Sequence, residues 1–441
     1  MMKNNRSKYK PYPSYKPTSI EWLGEIPEGW ECRKTKFVSD FINGYAFDSE
    51  LYVESGIPII RIGDIAEEID FGNVKRFHNK NLVGLDKFKV LKGDLLLALT
   101  GATIGKAFEY KSKELAYLNQ RVGILRGKRL YQYFLKYFFY SYTVKETINY
   151  LCNGGAQENI SKTQIGNIFI PLPPLPEQQT IAAFLDRETA KIDVLVEKEG
   201  KMIELLKEKR SALITKAVTK GLDPNVKLKP SGVECPDKKP THWNVRKLKY
   251  SVSSKNIKIK NSNYKVALEN IESFSGKFIE SEISFEGEGI SFDSNSVLYG
   301  KLRPYLCKVF LPNKAGICVS ELLVLVPDNK ISDKKFIFYY MLSYLFTNII
   351  SGETFGTKMP RADWRIVGNF KLFLPPLPEQ KAIASFLDRE TTKIDKLIEK
   401  IGHQIELLKE YRQSLITSAV TGKIDVSTML NTSVREEVPP P

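Results

Sequence analysis

Cysteine and histidine are scarce in this chain, five and three among 441 residues. The cysteines are odd in number and far apart, which argues against a disulfide framework and leaves no zinc-ligand spacing. His78, His242 and His403 are scattered, so neither a catalytic triad nor a metal constellation can be drawn from them. No apolar run approaches the roughly 20 residues that cross a bilayer; the nearest, Tyr131–Tyr142, is short, rich in tyrosine and interrupted by Lys136. Residues 1–17 are basic and proline-rich without the apolar stretch of a signal peptide, so a cytoplasmic protein is expected. An adenine-methylating Asn-Pro-Pro-Tyr sequence and a glycine-rich cofactor loop are also missing, so methyl transfer by the chain itself is not expected. "TGATIGKA" (Thr100–Ala107) has three residues between its glycines and alanine after its lysine. A phosphate-binding loop has four, followed by Ser or Thr, so a nucleotide triphosphate site is not expected here. Its glycine turn, with Thr103 and Lys106, suits either a close approach to a phosphodiester or an ordinary hairpin. "PDNK" (Pro327–Lys330) lacks the partner carboxylate and lysine of a nuclease and reads as a turn.

What is abundant is positive charge: the net formal charge is +15. That excess suggests a polyanionic partner. It is unevenly placed. Glu177–Lys220 carries 9 Lys/Arg against 8 Asp/Glu, and Glu379–Gly422 carries 7 against 7, whereas Lys227–Lys265 holds 11 Lys/Arg against Glu234 and Asp237.

The balanced segments are copies of one another. Leu172–Thr219 aligns with Leu374–Thr421 without a gap, at an offset of 202, with 35 identities in 48 positions. Further upstream, Pro17–Phe37 pairs with Pro230–Tyr250 at an offset of 213, matching Trp30 with Trp243, Arg33 with Arg246 and Lys34 with Lys247. The organisation is therefore A-B-A′-B′, with near-identical B units and A units that have diverged and differ by 11 residues in length. Each B unit opens with prolines (Pro173, Pro174, Pro176; Pro375, Pro376, Pro378) and then has no proline for about 40 residues, which predicts one helix roughly 60 Å long. Apolar residues mark a seam: Ile181, Leu185, Ile192, Leu195, Leu206 and Leu213 in the first copy, and, at steps of three, four or seven, Ile383, Leu387, Ile394, Leu397, Ile401, Ile405, Leu408, Leu415 and Ala419 in the second. The partner of matching length is the other copy, so an antiparallel coiled coil is expected; the alternative is that each seam packs on its own A unit. Gly200 and Gly402, each costing about 1 kcal/mol inside a helix, suggest a close crossing or a bend.

The A units carry short runs bounded by Gly, Pro or Asp that read as strands, among them Ile57–Ile65, Gly93–Gly101, Ser296–Leu306 and Ala315–Pro327. Helical patterns follow at Tyr131–Tyr150 and Lys335–Ile350, so each A unit is a mixed α/β domain. The aromatic series Tyr131, Tyr133, Phe134, Tyr137, Phe138 and Tyr140 reads as core. Polar side chains suited to a DNA groove or backbone fall into two sets. In the first A unit they are Tyr45, Arg61, Thr103, Lys106, Gln120, Arg121, Gln157, Asn159 and Lys162. In the second they are Lys301, Arg303 and Tyr305, placed on one side of a strand by period two, with Thr357, Lys358, Arg361 and Arg365 in a glycine-opened loop.

These features together resemble the specificity subunit of type I restriction-modification systems. The likeness is carried by "IEWLGEIPEGW" (Ile20–Trp30), "GDLLLALTGATIGKA" (Gly93–Ala107), "GGAQENISKTQIGNIFIPLPPLPEQ" (Gly154–Gln178), "GKLRPYL" (Gly300–Leu306), "GTKMPRADWR" (Gly356–Arg365) and the second "LPPLPEQ" (Leu374–Gln380). The second upstream box, "ECPDKKPTHW" (Glu234–Trp243), departs from the first. The resemblance implies an α/β architecture of two target-recognition domains joined by two long helices in an antiparallel coiled coil with pseudo-twofold symmetry. The expected divisions are a basic arm (1–16), first domain (17–170), first helix (171–221), second domain (222–372), second helix (373–425) and tail (426–441). It implies a non-catalytic chain that binds double-stranded DNA at a split, asymmetric site, together with two methyltransferase subunits and restriction/translocase subunits. S-adenosylmethionine, ATP and Mg2+ would be used by those partners, and this chain would bind none of them. The competing reading is a coiled-coil adaptor whose basic domains engage proteins or RNA.

Overall fold

Helix begins immediately after each proline hinge. In the computed structural model, which describes residues 9–65, 69–152, 159–233, 236–260, 262–281, 285–354 and 359–427, Leu175–Lys220 and Leu377–Val420 are uninterrupted helices of 46 and 44 residues. Pro176 and Pro378 sit in the first turn, where a missing N–H leaves nothing unpaired. Two residues on, a buried glutamine ties the hinge to the domain before it. Gln178 donates from Nε2 to the Pro173 carbonyl and accepts from the Tyr131 N–H, each at 2.8 Å. Gln380 repeats this with the Pro375 carbonyl and the Asp333 N–H, also at 2.8 Å. The "PEQ" written twice is thus a twice-used clasp between helix and domain.

The chain forms two compact units, residues 1–198 with 404–441, and residues 199–403. Each unit contains one α/β domain, the first part of one long helix and the last part of the other. In the first unit, Ile181, Phe184, Leu185 and Ile192 share a core with the domain and with Leu415, Ile416, Ala419 and Val420. In the second, Ile383 and Leu387 share a core with the domain and with Ile214, Ala217 and Val218. The seam therefore packs on its own domain and on the other helix together, so the two alternatives are not exclusive. Within both units the helix segments run antiparallel and are joined by the same ion pair. Arg412 Nε lies 2.8 Å from Asp193 Oδ1, and Arg210 Nε lies 3.0 Å from Asp395 Oδ1.

Two seam positions are corrected. Leu195 and Leu397 are 48% and 43% exposed. The stripe turned from solvent runs instead through Ile394, Ile398, Ile401, Ile405 and Leu408, at steps of four, three, four and three, with Ile394 and Ile401 buried and the others half-buried; Val196 takes the place equivalent to Ile398 in the first helix. A step of three from Ile394 points a side chain off a stripe that needs a step of four there. Leu206, Leu213, Ile405 and Leu408 are half-buried. A Cβ added at Gly200 or Gly402 would meet nothing within 4 Å, and both helices run through these glycines unbroken, so they mark no close crossing.

The two α/β domains share a framework. In the first, an antiparallel sheet is ordered Ser39–Asn43, Val122–Gly127, Leu95–Ala98, Ala107–Glu109; in the second the order is Val252–Lys255, Leu322–Pro327, Val297–Gly300, Val309–Phe310. A second sheet in each sets one strand parallel to its neighbour, Ile57–Ile60 beside Ala116–Leu118 and Lys265–Val266 beside Gly316–Cys318. The stretches read as single helical patterns are each two helices, Gln132–Tyr140 with Tyr142–Cys152 and Lys334–Leu342 with Tyr344–Gly352. A fully buried serine makes each break. Ser141 Oγ donates to the Phe138 carbonyl at 2.6 Å and accepts the Val144 N–H at 3.4 Å, and Ser343 does the same with Tyr340 and Phe346. One hydroxyl thus ends a helix and starts the next. Of the aromatic series, Phe134, Tyr137 and Phe138 are buried, Tyr131 and Tyr140 half-buried, and Tyr133 faces solvent. Pro327–Lys330 is a turn closing the last sheet strand, with the Lys330 N–H on Asp328 Oδ1 at 3.0 Å.

Candidate DNA-recognition surfaces

Three loops of the first unit meet at Leu99. Its N–H donates to the Arg121 carbonyl at 3.1 Å, and its own carbonyl accepts the Ile160 N–H at 3.0 Å; Thr100 bridges to Asn159. The loop after Leu95–Ala98, the turn between Ala116–Leu118 and Val122–Gly127, and the approach to the helix Lys162–Asn167 therefore share one edge. Two further strand ends join it: the Asn119 N–H donates to the Ile60 carbonyl at 2.9 Å and the Tyr45 N–H to the Leu118 carbonyl at 2.8 Å. Gly44 permits the second approach, because a Cβ there would stand 2.0 Å from the Asn119 carbonyl oxygen. The backbone thus gathers Tyr45, Arg61, Thr103, Lys106, Gln120, Arg121, Asn159 and Lys162. Gln157 lies outside the described residues.

These side chains are not equally available. Lys106, Gln120, Arg121, Asn159 and Lys162 are exposed, and Tyr45 is 40% exposed against Phe47 and Phe88. Arg61 is engaged: both arms of its guanidinium reach Asp64 at 2.9 Å, and that hydrogen-bonded carboxylate raises its pKa above the ordinary arginine value. The segment "TGATIGKA" is the turn of a hairpin, with Leu97 opposite Ala107, and its left-handed residues are Gly101 and Gly105.

The second unit repeats the junction at Lys301. Its N–H donates to the Glu321 carbonyl and its carbonyl accepts from the Ala362 N–H, both at 2.9 Å, while Leu302 bridges to Arg361. Lys301, Arg303, Tyr305, Arg361 and Arg365 are brought to one edge, but not as a strand face. The strand ends at Gly300; Arg303 turns left-handed with φ 50°, and Pro304–Leu306 form a 3-10 turn. Pro304 has no N–H with which to extend a ladder. Arg303 and Tyr305 are exposed at this turn and Lys301 is half-buried. Arg361 is paired with Glu321 at 2.6 Å and Arg365 with Asp363 at 2.9 Å. Thr357 and Lys358 lie outside the described residues.

Sequence reasoning missed Asp64 and Glu321, the carboxylates that orient Arg61 and Arg361. Asp64 has a local signal, three residues beyond Arg61; Glu321 has none, because it lies 40 residues from Arg361. It also missed that the offset of 202 carries Gly101 onto Arg303 and Gly105 onto Cys307.

A family model described as the type I restriction modification DNA specificity domain matches residues 27–205 and again residues 237–407. The chain belongs to that family. It is a type I specificity subunit with two DNA specificity domains, and the double match sets the adaptor reading aside. It is 27% identical to the putative MjaX specificity subunit of Methanocaldococcus jannaschii, over 94% of this chain and 97% of that one. It is 26% identical to the MjaVIII specificity subunit of the same organism, over 92% and 95%. Among solved structures it resembles a chain from a study of complex assembly and conformational transition of the type I R-M system, with TM-score 0.68, 14% identity, and coverage of 90% of this chain and 99% of that one. The HsdS subunit from Thermoanaerobacter tengcongensis matches with TM-score 0.50 at 14% identity, over 90% and 98%. These structures share the fold of this specificity subunit. Among the described residues no helix is long and apolar enough to cross a membrane.

Proposed function

We propose that each unit reads one half of a split, asymmetric DNA site, and that the long helices carry two methyltransferase subunits, to which restriction/translocase subunits are added. The carrying observation is one backbone junction built twice with different side chains around it. Leu99 is replaced by Lys301, Thr100 by Leu302, Thr103 by Tyr305, Asn159 by Arg361 and Lys162 by Trp364. A common frame with unlike edges presents two different readers in the same way, which is the requirement of an asymmetric site.

The helices suit protein rather than DNA, since their charges nearly balance. Away from the helix starts, each unit also exposes one leucine from each helix: Leu195 and Leu407 in the first, Leu205 and Leu397 in the second. Leu195 is equivalent to Leu397 and Leu205 to Leu407, so both units offer the same pair, which fits a partner present in two copies. S-adenosylmethionine, ATP and Mg2+ belong in this reading to the partner subunits.

The test is footprinting and methylation mapping with the modification subunits present. Exchange of residues 38–165 for those of a relative with another target is expected to change one half-site and leave the other intact. A change in both halves together refutes the division of labour.

A further inference from the structure

The described non-glycine residues with left-handed backbone are Phe274, Arg303 and Cys307, at φ 60°, 50° and 47°. All three belong to one hydrogen-bonded path in the second unit. Arg303 opens and Cys307 closes the 3-10 turn Pro304–Leu306. The Phe274 N–H donates to the Cys307 carbonyl at 3.1 Å. Arg210, on the first long helix, then grips the other side of this loop, donating to the Phe274 and Ser275 carbonyls at 3.0 Å each while its Nε holds Asp395 at 3.0 Å. The Arg210 side chain is only 10% exposed.

The first unit shows what the alternative looks like. There the two turn positions are Gly101 and Gly105, at φ 70° and 76°, and glycine adopts this backbone without strain. A side chain in that region raises the energy of the turn, and such a residue persists only where its surroundings over-determine it. The Arg210 equivalent, Arg412, bonds Asp193 with Nε and Nη2, at 2.8 and 3.3 Å.

We propose that Arg210 is a positioning residue for DNA specificity: through the Phe274 loop it holds the strained Arg303–Cys307 turn in the shape that presents Arg303 and Tyr305 to the half-site of the second unit. The inference rests on the proposed reading of split DNA. It makes the two readers mechanically unlike, the first shaped by its own glycines and the second held from the helix.

The experiment uses the chain assembled with its modification subunits and measures, for each half-site, the ratio of binding to intact and to altered sequence. The half-site of the second unit is the one spared by exchange of residues 38–165. R210K keeps a cation beside Asp395 but lacks the planar fork that reaches two carbonyls and a carboxylate together. It is expected to lower discrimination at the second unit's half-site about tenfold and leave the other unchanged, while R412K changes neither. Adding C307G to R210K is expected to restore most of the lost discrimination, because glycine holds the turn without a clamp. An equal fall at both half-sites, no fall at either, or failure of C307G to restore discrimination overturns the inference. If the unmutated complex shows no split-site preference, the proposed function falls with it; if it does and only R210K is without effect, this inference falls alone.

Discussion

Gln178 and Gln380 are buried side chains that join helix to domain by hydrogen bonds to both. Gln380 is fully buried, and its amide satisfies the Pro375 and Ile331 carbonyls and the Asp333 N–H. Q380A would leave these groups without partners away from water, each at about 1–3 kcal/mol. A loss of about 2–4 kcal/mol is expected in denaturant unfolding, and a loss below about 1 kcal/mol would refute the clasp. Asp363 allows a pH-resolved prediction. The Arg365 guanidinium, then the Ile366 and Arg365 N–H groups, lower its pKa. A depressed carboxylate contributes stability above its unfolded value of about 3.9 and loses it as pH falls through the folded value. Removing such a helix cap costs about 1 kcal/mol. D363A should therefore melt below the parent protein at pH 7, with the gap closing as pH falls below the ordinary aspartate range and the carboxylate takes up its proton.

At the scale of the element, register decides which helix positions are core and which are surface. The heptad pattern is legible because prolines delimit each helix and apolar residues recur along it. The choice between Leu397 and Ile398 is not, since both are apolar and adjacent and only the facing helix distinguishes them. The repeated ion pair was equally invisible: Asp193 and Arg412 are 219 residues apart, Arg210 and Asp395 are 185 apart, and only the antiparallel pairing unites them. L195D combined with L397D places charge on solvent-facing positions, where surface substitutions change stability by about 0.5 kcal/mol or less. The doubly changed chain is expected to fold with unaltered melting and to lose at least tenfold in affinity for the modification subunits by titration. Retained assembly would separate these leucines from docking.

For the whole molecule, the net charge of +15 lies almost entirely outside the balanced helices. Assembled on DNA, the complex should show binding that falls steeply with salt, by a logarithmic slope of about −0.9 for each phosphate neutralised. Replacing Lys106, Arg121 and Lys162 together by alanine should flatten that slope by up to about 3; an unchanged slope would remove the first unit's gathered edge from the DNA. By itself the sequence determined the duplication, the hinges, the two long helices and the mixed α/β character of the diverged domains. Each of these is written in local periodicity, in proline or in repetition. Only the tertiary structure decided that the diverged domains are one framework, that Leu99 and Lys301 occupy the same junction, and that Arg303 stands in a left-handed turn rather than on a strand. The reason is physical: the hydrogen bonds that gather these loops join backbone to backbone, so side chains can change around them and leave no trace in the sequence.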